Sequence, residues 1–210
     1  MKTTVLIGSL ILLSACTEST VESVNQEKEF VESIVSKMTL DEKLSQMVQD
    51  APYNERLGIP RMMYSECLHG LWLEGATVFP QAIALGSTWN PELIKEMTSY
   101  IAEEARSVGV THCYSPNLDV SIGDARYGRI EESYGEDPYL VSRMGVAFIK
   151  GLQGEGDEYL DENHIIATAK HFVAYPENRT GLNGAFSDVS LRRLYEIHFS
   201  SFEAAVKEAR

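Results

Sequence analysis

Three short apolar stretches that alternate with helical patterns constrain the fold of this chain more than any other feature. They are RMMYS (61–65), GVTHCYS (109–115) and HIIATAKHF (164–172), and their composition is typical of buried strands. Between them, apolar residues recur at helical spacing. Such an alternation predicts a parallel sheet with right-handed crossovers, so we expect an α/β fold.

Local capping signals predict where the helices begin. The expected starts are the T-x-x-E capping box of Thr39 and Glu42, the pairs Asn90-Pro91 and Asp137-Pro138, and a point near Ser187 or Asp188. The YGEDP segment also offers a tempting carboxylate pair, Glu136 and Asp137. Adjacent residues at a helix start do not face one bond together, so Asp137 is interpreted as an N-cap.

The N-terminal segment predicts export and anchoring. Residues 1–15 contain Lys2 and an apolar run from Val5 to Leu13, which is too short to span a bilayer and is typical of a signal peptide. LSAC (13–16) resembles the lipobox of bacterial lipoproteins, which predicts a lipid on Cys16; an ordinary secretory signal is the alternative. Residues 16–29 then form a polar tether, and residues 30–210 form the domain. We expect a bacterial cell-envelope protein that reaches the membrane through this lipid.

The composition restricts the possible ligands. A net charge of −13 without a cluster of Lys and Arg argues against nucleic acid and against electrostatic binding to anionic lipid, and leaves neutral, sugar-like ligands possible. His112, His164 and His198 are isolated from one another and no CxxC occurs, so neither a metal nor a cofactor is expected. Whether Cys67 and Cys113 pair is left open.

Polar residues follow each predicted strand at the end where α/β proteins bind ligands. Glu66 follows the first strand, Arg129 lies in the loop after the second, and Lys170 and His171 end the third. A sugar hydroxyl both donates and accepts, so a sugar site needs carboxylates as acceptors and Arg, Lys or His as donors. The pattern therefore indicates a sugar-binding site assembled from three strand ends.

Four segments, in order and with natural spacing, resemble the N-terminal barrel domain of glycoside hydrolase family 3. They are GIPRMMYSECLHG, GATVFPQAIALGSTWNPELI, SPNLDVSIGDARYGRIEESYGEDPYLVSRMGVAFIKGLQG and ATAKHFVAY. The resemblance runs from about Thr39 to Arg210. It implies the first part of a (β/α)8 TIM-type barrel. It also implies an exo-acting, retaining β-glycosidase that acts on oligosaccharides or aryl β-glycosides.

The resemblance also implies roles for individual residues. Lys170 and His171 match the pair that holds hydroxyls of the terminal sugar, and Arg129 matches the arginine of the family's WGR motif. Glu66 stands where many glucosidases have Asp. Arg179 aligns less well as a further donor. β-Glucosidase is the expected specificity by family frequency, and Glu66 leaves β-xylosidase open.

Both catalytic carboxyls of the family are missing from this sequence. The nucleophile belongs to an SDW-type motif, whereas the one SD here, Ser187-Asp188, precedes a valine. A retaining mechanism needs two carboxyls roughly 5 Å apart. We therefore expect the N-terminal part of a longer enzyme that is inactive by itself. Residues 17–210 alone should be poorly soluble or partly unfolded, because an incomplete barrel leaves a bare strand edge.

Two alternatives stay open at this point. The chain could bind sugar without hydrolysing it, as a truncated relative of the enzymes. It could also be a lipoprotein with a structural or interaction role. The joint presence of Glu66, Arg129, Lys170 and His171 favours the enzyme, because a structural protein has no need for all four.

Overall fold

The computed structural model describes residues 25–48 and 51–209. The chain divides into two compact units, residues 1–61 and 62–210. The predicted signal peptide, Cys16 and most of the predicted tether lie outside the described residues. Along the described ranges, no helix combines the length and the apolar character that crossing a membrane requires.

The described residues of the first unit include two helices. Residues 25–35 form helix α1, which begins inside the segment predicted as a tether, and Leu40–Ser45 forms helix α2. The predicted capping box is confirmed: Thr39 Oγ1 accepts from the Glu42 N–H at 3.2 Å, and the Thr39 N–H donates to Glu42 Oε2 at 2.8 Å. Arg56 also pairs with Glu42. The hydrogen bond from Arg56 lowers the pKa of Glu42 to about 2.

The second unit is built on a parallel sheet of three strands in the order β1-β2-β3. The strands are β1 (Tyr64–Ser65), β2 (His112–Cys113) and β3 (Ile166–Ala167). Tyr64 lies opposite His112, which lies opposite Ile166. The predicted parallel sheet is confirmed, but each strand is shorter than its apolar stretch. The ladder is irregular at both ends; for example, the N–H groups of Thr111 and His112 both donate to the Met63 carbonyl.

Helices α3 (Ala82–Gly86) and α4 (Pro91–Ser107) lie between β1 and β2 in sequence, and α5 (Pro138–Gln153) lies between β2 and β3. Both predicted proline starts are confirmed. Asn90 Oδ1 accepts from the Leu93 N–H at 3.1 Å, and Asp137 Oδ1 accepts from the Leu140 N–H at 2.7 Å. Short 3₁₀ turns occupy Ala125–Tyr127, Ile130–Glu132 and Gly156–Glu158.

The last helix, α6, begins later than the sequence predicts. It consists of Leu191–Arg193, a π turn at Leu194–His198 and an α-helical end at Phe199–Glu208. Its N-cap is Ser190, whose hydroxyl accepts from the Arg193 N–H at 3.3 Å. The prediction of a start near Ser187 or Asp188 was wrong because both residues are used elsewhere. Ser187 pairs with Asn178 in a β-bridge, and Asp188 binds Arg179.

The core lies where α5 packs between α4 and α6 and against the sheet. Ile94 and Ile101 of α4 and Met144 and Phe148 of α5 belong to this core, and all four side chains are buried. Each such side chain contributes about 1.5–3 kcal/mol by leaving water. Gly151 lets the helices approach closely, because a Cβ there would overlap Thr98 and the Lys95 carbonyl.

Cys67 and Cys113 are both buried and form a disulfide that joins the loop after β1 to β2. Their Cα atoms lie 5.8 Å apart, which is within the usual range for a disulfide. The three strand-helix repeats on a parallel sheet form an α/β fold of the kind expected for the first part of a TIM-type barrel.

Candidate functional site

Polar side chains converge at the C-terminal ends of the three strands. Glu66 follows β1 directly, Asp119 lies six residues after β2, and Lys170 and His171 come three and four residues after β3. Parallel strands end at the same edge of a sheet, so residues far apart in sequence meet there. A β-bridge between Asn117 and Lys170 brings the loop after β2 next to the end of β3.

The first pair in this cluster joins Lys170 to Glu66. Lys170 Nζ lies 2.8 Å from Glu66 Oε1 and 2.9 Å from Oε2, and the two residues are 104 positions apart. The lysine side chain is only 12% exposed and the glutamate 30%. An ammonium group has three donors, so one remains for a ligand hydroxyl after the two bonds to Glu66.

The second pair joins His171 to Asp119. His171 Nδ1 lies 2.8 Å from Asp119 Oδ2, and the His171 backbone N–H donates to Oδ1 at 3.3 Å. The Asp119 side chain is 1% exposed. A carboxylate at Nδ1 makes that nitrogen the proton-bearing one, which leaves Nε2 of the neutral ring as an acceptor. Asp119 therefore fixes both the orientation and the tautomer of His171.

The third pair joins Arg129 to Glu132 through two parallel bonds, with Nε to Oε1 at 2.7 Å and Nη2 to Oε2 at 2.6 Å. Burial raises the pKa of Glu132, but the hydrogen bond and charge of Arg129 outweigh burial and hold that pKa below its ordinary value. The same bond raises the pKa of Arg129. The other arginine of this segment, Arg126, binds Asp124 instead.

Tyr175 connects the second and third pairs. Its ring stacks on the His171 ring at a centroid distance of 4.5 Å and an interplanar angle of 27°. The Arg129 guanidinium carbon lies 5.6 Å from the centroid of the same ring, within cation–π range. The Tyr175 hydroxyl donates to Asn183 Oδ1 at 2.6 Å. Tyr175 thus lies between the His171 ring and the Arg129 guanidinium and contacts both.

Glu177 anchors the loop that carries these residues to helix α6. Its Oε1 atom lies 2.6 Å from Arg193 Nε and 3.0 Å from Nε2 of the buried His198. Burial raises the pKa of Glu177, but the bonds to Arg193 and His198 prevail and keep that pKa below its usual range. The loop after β3 is therefore held at both ends, by Lys170 at the sheet and by Glu177 at α6.

The structure brings together four of the five residues predicted for the site, namely Glu66, Arg129, Lys170 and His171. Arg179 is different: its guanidinium lies 2.5 Å from Asp188, and both side chains are largely exposed, at 69% and 57%. No contact of Arg179 within residues 62–209 reaches the cluster. The sequence interpretation missed Asp119 and Tyr175. A lone acid in the apolar run NLDVSI and an aromatic residue just after KHF were the available signals.

A cavity of about 370 Å³ adjoins the cluster, a volume in the range of small-molecule sites. Carboxylates from two of the three pairs reach it, because Glu66 and Glu132 both contribute to its wall. Apolar residues and a tryptophan form much of the remaining surface, including Leu71, Trp72, Leu73, Val78 and Ala82. Among the described residues, no group of three or more His, Cys, Asp or Glu is arranged to hold a metal ion.

Comparisons with known proteins agree on one family. The sequence model of the glycosyl hydrolase family 3 N-terminal domain matches residues 7–210. A β-xylosidase from Formosa agariphila is 70% identical over 184 residues, which cover 85% of this chain and 25% of that protein. The chain thus spans about a quarter of the length of this relative.

Solved structures of β-glucosidases share the fold. A β-glucosidase from Erythrobacter marinus is 41% identical with a TM-score of 0.69, over 72% of this chain and 20% of that one. A mutant β-glucosidase from Listeria innocua in complex with laminaribiose is 35% identical with a TM-score of 0.65, over 74% of this chain and 21% of that one.

Proposed function

Because the chain belongs to glycoside hydrolase family 3, we propose that it forms the sugar-holding part of an exo-acting, retaining β-glycosidase. The observation that carries this proposal is the convergence of Lys170, His171 and Arg129 at one edge of the sheet. Each of these three side chains is bound to its own carboxylate and retains a donor or an acceptor that a ligand can use. The family's enzymes are glycoside hydrolases, as the names of the relatives state.

In this proposal the site holds the terminal sugar of a β-linked oligosaccharide or an aryl β-glycoside. The Lys170 ammonium donates its remaining proton to a hydroxyl, and Glu66 accepts from that hydroxyl or its neighbour. His171 Nε2 accepts from a further hydroxyl. Charge-assisted hydrogen bonds to sugar hydroxyls that strengthen in the oxocarbenium-like transition state accelerate the reaction as well as binding the substrate.

The nucleophile and the acid/base are proposed to come from sequence outside this chain. The relatives are about four times as long as the matched segment, which leaves room for the remaining strands of a barrel. A retaining glycosidase places its two carboxyls about 5–5.5 Å apart across the scissile bond. This chain would contribute orientation and binding to such a centre, and its own carboxylates would stay paired with Lys170, His171 and Arg129.

Two sugar specificities are candidates. The relative that is 70% identical is a β-xylosidase, which favours a β-xyloside as the substrate. The similarity to solved β-glucosidases at 41% and 35% identity favours a β-glucoside. We place the xyloside first because its relative is the more similar one. This order reverses the expectation from family frequency.

The test uses the whole reading frame that contains this chain, read through codon 210 and expressed as the full polypeptide. We expect hydrolysis of p-nitrophenyl β-D-xyloside, with a higher kcat/KM than for the β-D-glucoside and with net retention of configuration by NMR. A higher kcat/KM for the glucoside would favour the second candidate. If neither substrate is cleaved but xylose or glucose binds in calorimetry, the non-catalytic sugar-binding alternative replaces this proposal.

We also propose that Cys16 carries a lipid and places the protein in the cell envelope. The LSAC segment supports this proposal. Metabolic labelling with radioactive palmitate should mark the wild-type protein and leave Cys16→Ala unlabelled. Cys67→Ala provides the matched control, since Cys67 is buried at the sheet and should not affect labelling. Equal labelling of Cys16→Ala would refute the lipid anchor.

A further inference from the structure

Trp72 lies on the cavity wall beside Glu66, and its side chain is 80% exposed. Its backbone N–H donates to the Glu66 backbone carbonyl at 2.9 Å, so the backbone of Trp72 is held next to that of Glu66. Leu73 and Val78, which also line the cavity, are 50% and 79% exposed. A contiguous apolar surface in contact with water next to a paired carboxylate is the kind of surface with which proteins bind ligands.

The loop that carries Trp72 is held in place. The Phe79 N–H donates to the His69 carbonyl at 2.8 Å, and His69 Nδ1 donates to the Phe79 carbonyl at 3.2 Å. Gly70 has a φ of +127°, and a Cβ there would overlap the Thr77 carbonyl. The loop is thus closed at its base before any ligand binds. A preformed wall loses little conformational entropy on binding, which suits a specific site.

The chemistry of the cavity defines its ligand. Three carboxylates, Glu66, Glu131 and Glu132, line the cavity. Lys170 balances the charge of Glu66 and Arg129 that of Glu132, so the charge of Glu131 leaves the wall net negative and disfavours an anionic ligand. The same carboxylates accept hydrogen bonds from hydroxyl groups, and an indole face packs against an apolar C–H surface. A neutral pyranose ring offers both kinds of surface, with hydroxyls around its edge and C–H groups on its faces.

We propose that Trp72 is a specificity-determining residue that stacks against a neutral pyranose ring bound next to Glu66. The inference rests on the proposed glycosidase function and deepens it, because it assigns one wall of the substrate site and excludes uronic acids. It predicts that Trp72, in the loop after β1, recognises the C–H groups on one face of the sugar ring. Lys170 and Glu66 recognise the hydroxyl groups around its edge.

A direct binding experiment tests the stacking. The full polypeptide is labelled with 5-fluorotryptophan, and the Trp72 signal is identified as the ¹⁹F resonance that disappears in Trp72→Phe. We expect D-xylose to shift this resonance in a saturable way and D-glucuronic acid to leave it unchanged. Trp89 supplies the internal control, because it is also exposed, at 66%, and does not line the cavity. Its resonance, identified in Trp89→Phe, should stay in place.

Kinetics supply the second measurement. Trp72→Leu should raise KM for the β-xyloside about 3- to 10-fold with little change in kcat, the range expected when one aromatic packing contact is lost. Trp72→Phe should recover part of the loss because it retains an aromatic face. Trp89→Leu should leave KM unchanged.

The outcomes separate this inference from the function on which it rests. Normal hydrolysis without a xylose-dependent shift of Trp72, or with an unchanged KM in Trp72→Leu, overturns the inference and leaves the glycosidase standing. A saturable shift of the Trp72 resonance without any hydrolysis supports stacking of Trp72 on the sugar, while the enzymatic proposal fails. An equal shift with glucuronic acid refutes the selection for neutral sugars.

Discussion

The ion pairs at the strand ends and those on the outer surface use the same chemical groups in different surroundings. Lys170 and Glu66 are 12% and 30% exposed, whereas Arg192 and Glu196 on α6 are 85% and 55% exposed. An exposed pair contributes about 0–1 kcal/mol to stability. A pair withdrawn from water must first offset the cost of desolvating both ions, so it often adds no net stability. A role in binding therefore explains the partly buried pairs at the strand ends better than a contribution to stability does.

Distance along the chain separates two of the three strand-end pairs from the local pairs of α6. Glu66 and Lys170 are 104 positions apart, and Asp119 and His171 are 52 apart, while the partners Arg192 and Glu196 are separated by four. Local pairs form as a by-product of helix geometry. The pairs Glu66–Lys170 and Asp119–His171 require the sheet to bring its strand ends together. The comparison therefore identifies the strand-end cluster as the part of the molecule that the fold assembles.

The largest effect should come from removing the cation of the most withdrawn lysine pair. In the full polypeptide, Lys170→Ala should lower kcat/KM for the β-xyloside by at least ~100-fold, because a charged contact that strengthens in the transition state is lost. Steady-state kinetics measure it. Lys207→Ala is the control, since Lys207 pairs with Glu203 on the exposed side of α6. Similar kinetics for both variants would remove the distinction between the two kinds of pair.

A smaller loss is expected when the buried partner of His171 changes. Asp119→Asn keeps the shape of the side chain but removes the charge that holds the proton on Nδ1. Losing a hydrogen bond to a charged group costs about 1.5–3 kcal/mol, so kcat/KM should fall about 10- to 100-fold. The ¹⁵N shifts of the His171 ring should show that the other tautomer has become populated.

The ring shifts separate positioning from simple support. If Asp119→Asn loses activity while His171 keeps its wild-type tautomer, Asp119 does not act through the imidazole. Asp119→Glu should not restore the wild-type rate, because a longer side chain does not fit a site where the aspartate is 1% exposed. Full recovery in that variant would contradict the tight geometry.

Much of the fold could be predicted because its signals are local. The helix starts at Asn90 and Asp137 are each indicated by an N-cap residue followed by proline. The apolar stretches indicate the three strands. The start of α6 could not be predicted from the same kind of signal. Ser187, Asp188 and Ser190 are all suitable N-caps, and the contact of Asp188 with Arg179 and the β-bridge from Ser187 to Asn178 leave Ser190 as the cap.

The site residues that directly follow a strand could be predicted from the sequence. Glu66, Lys170 and His171 follow apolar stretches directly, so their meeting follows from a parallel sheet. Asp119 and Tyr175 take their roles from partners that are distant or that depend on how a loop turns. Nothing in NLDVSI shows that its carboxylate will face a histidine 52 positions later. The pairing of Cys67 with Cys113 has the same origin, since it needs the register of β1 and β2.

Acid should weaken the Arg129–Glu132 pair in a predictable direction. The pKa of Glu132 is lowered in the folded protein, so its contribution to stability is present above the ordinary carboxyl value of 4.5 and is lost as pH falls through the lower folded pKa. Glu132→Gln should reduce the free energy of unfolding by about 1–2 kcal/mol at pH 7. Urea denaturation at a series of pH values should show this difference shrinking below pH 4.5.

The matched control again comes from the exposed side of α6. Glu203→Gln breaks a pair whose side chains are 69% and 60% exposed, and its effect should be small at every pH. If Glu203→Gln and Glu132→Gln change stability equally, partial burial at the strand ends has no energetic consequence. A difference for Glu132→Gln that grows as the pH falls would contradict the lowered pKa.

The smallest effect is expected at Arg179, where the family resemblance and the geometry diverge. The resemblance implies a donor to the sugar, but the contact with Asp188 and the 69% exposure of the guanidinium put Arg179 among the surface pairs. Arg179→Ala should therefore change kcat/KM by less than about 2-fold, since breaking an exposed pair costs about 0.5 kcal/mol or less. Asp188→Ala should behave in the same way, because the two residues lose the same contact. A loss of 10-fold or more in Arg179→Ala alone would mean that the arginine leaves Asp188 to bind substrate. The exposure of a side chain in the ligand-free protein would then not show whether that side chain binds substrate. Arg179 would have to be grouped with the strand-end residues and not with the surface pairs.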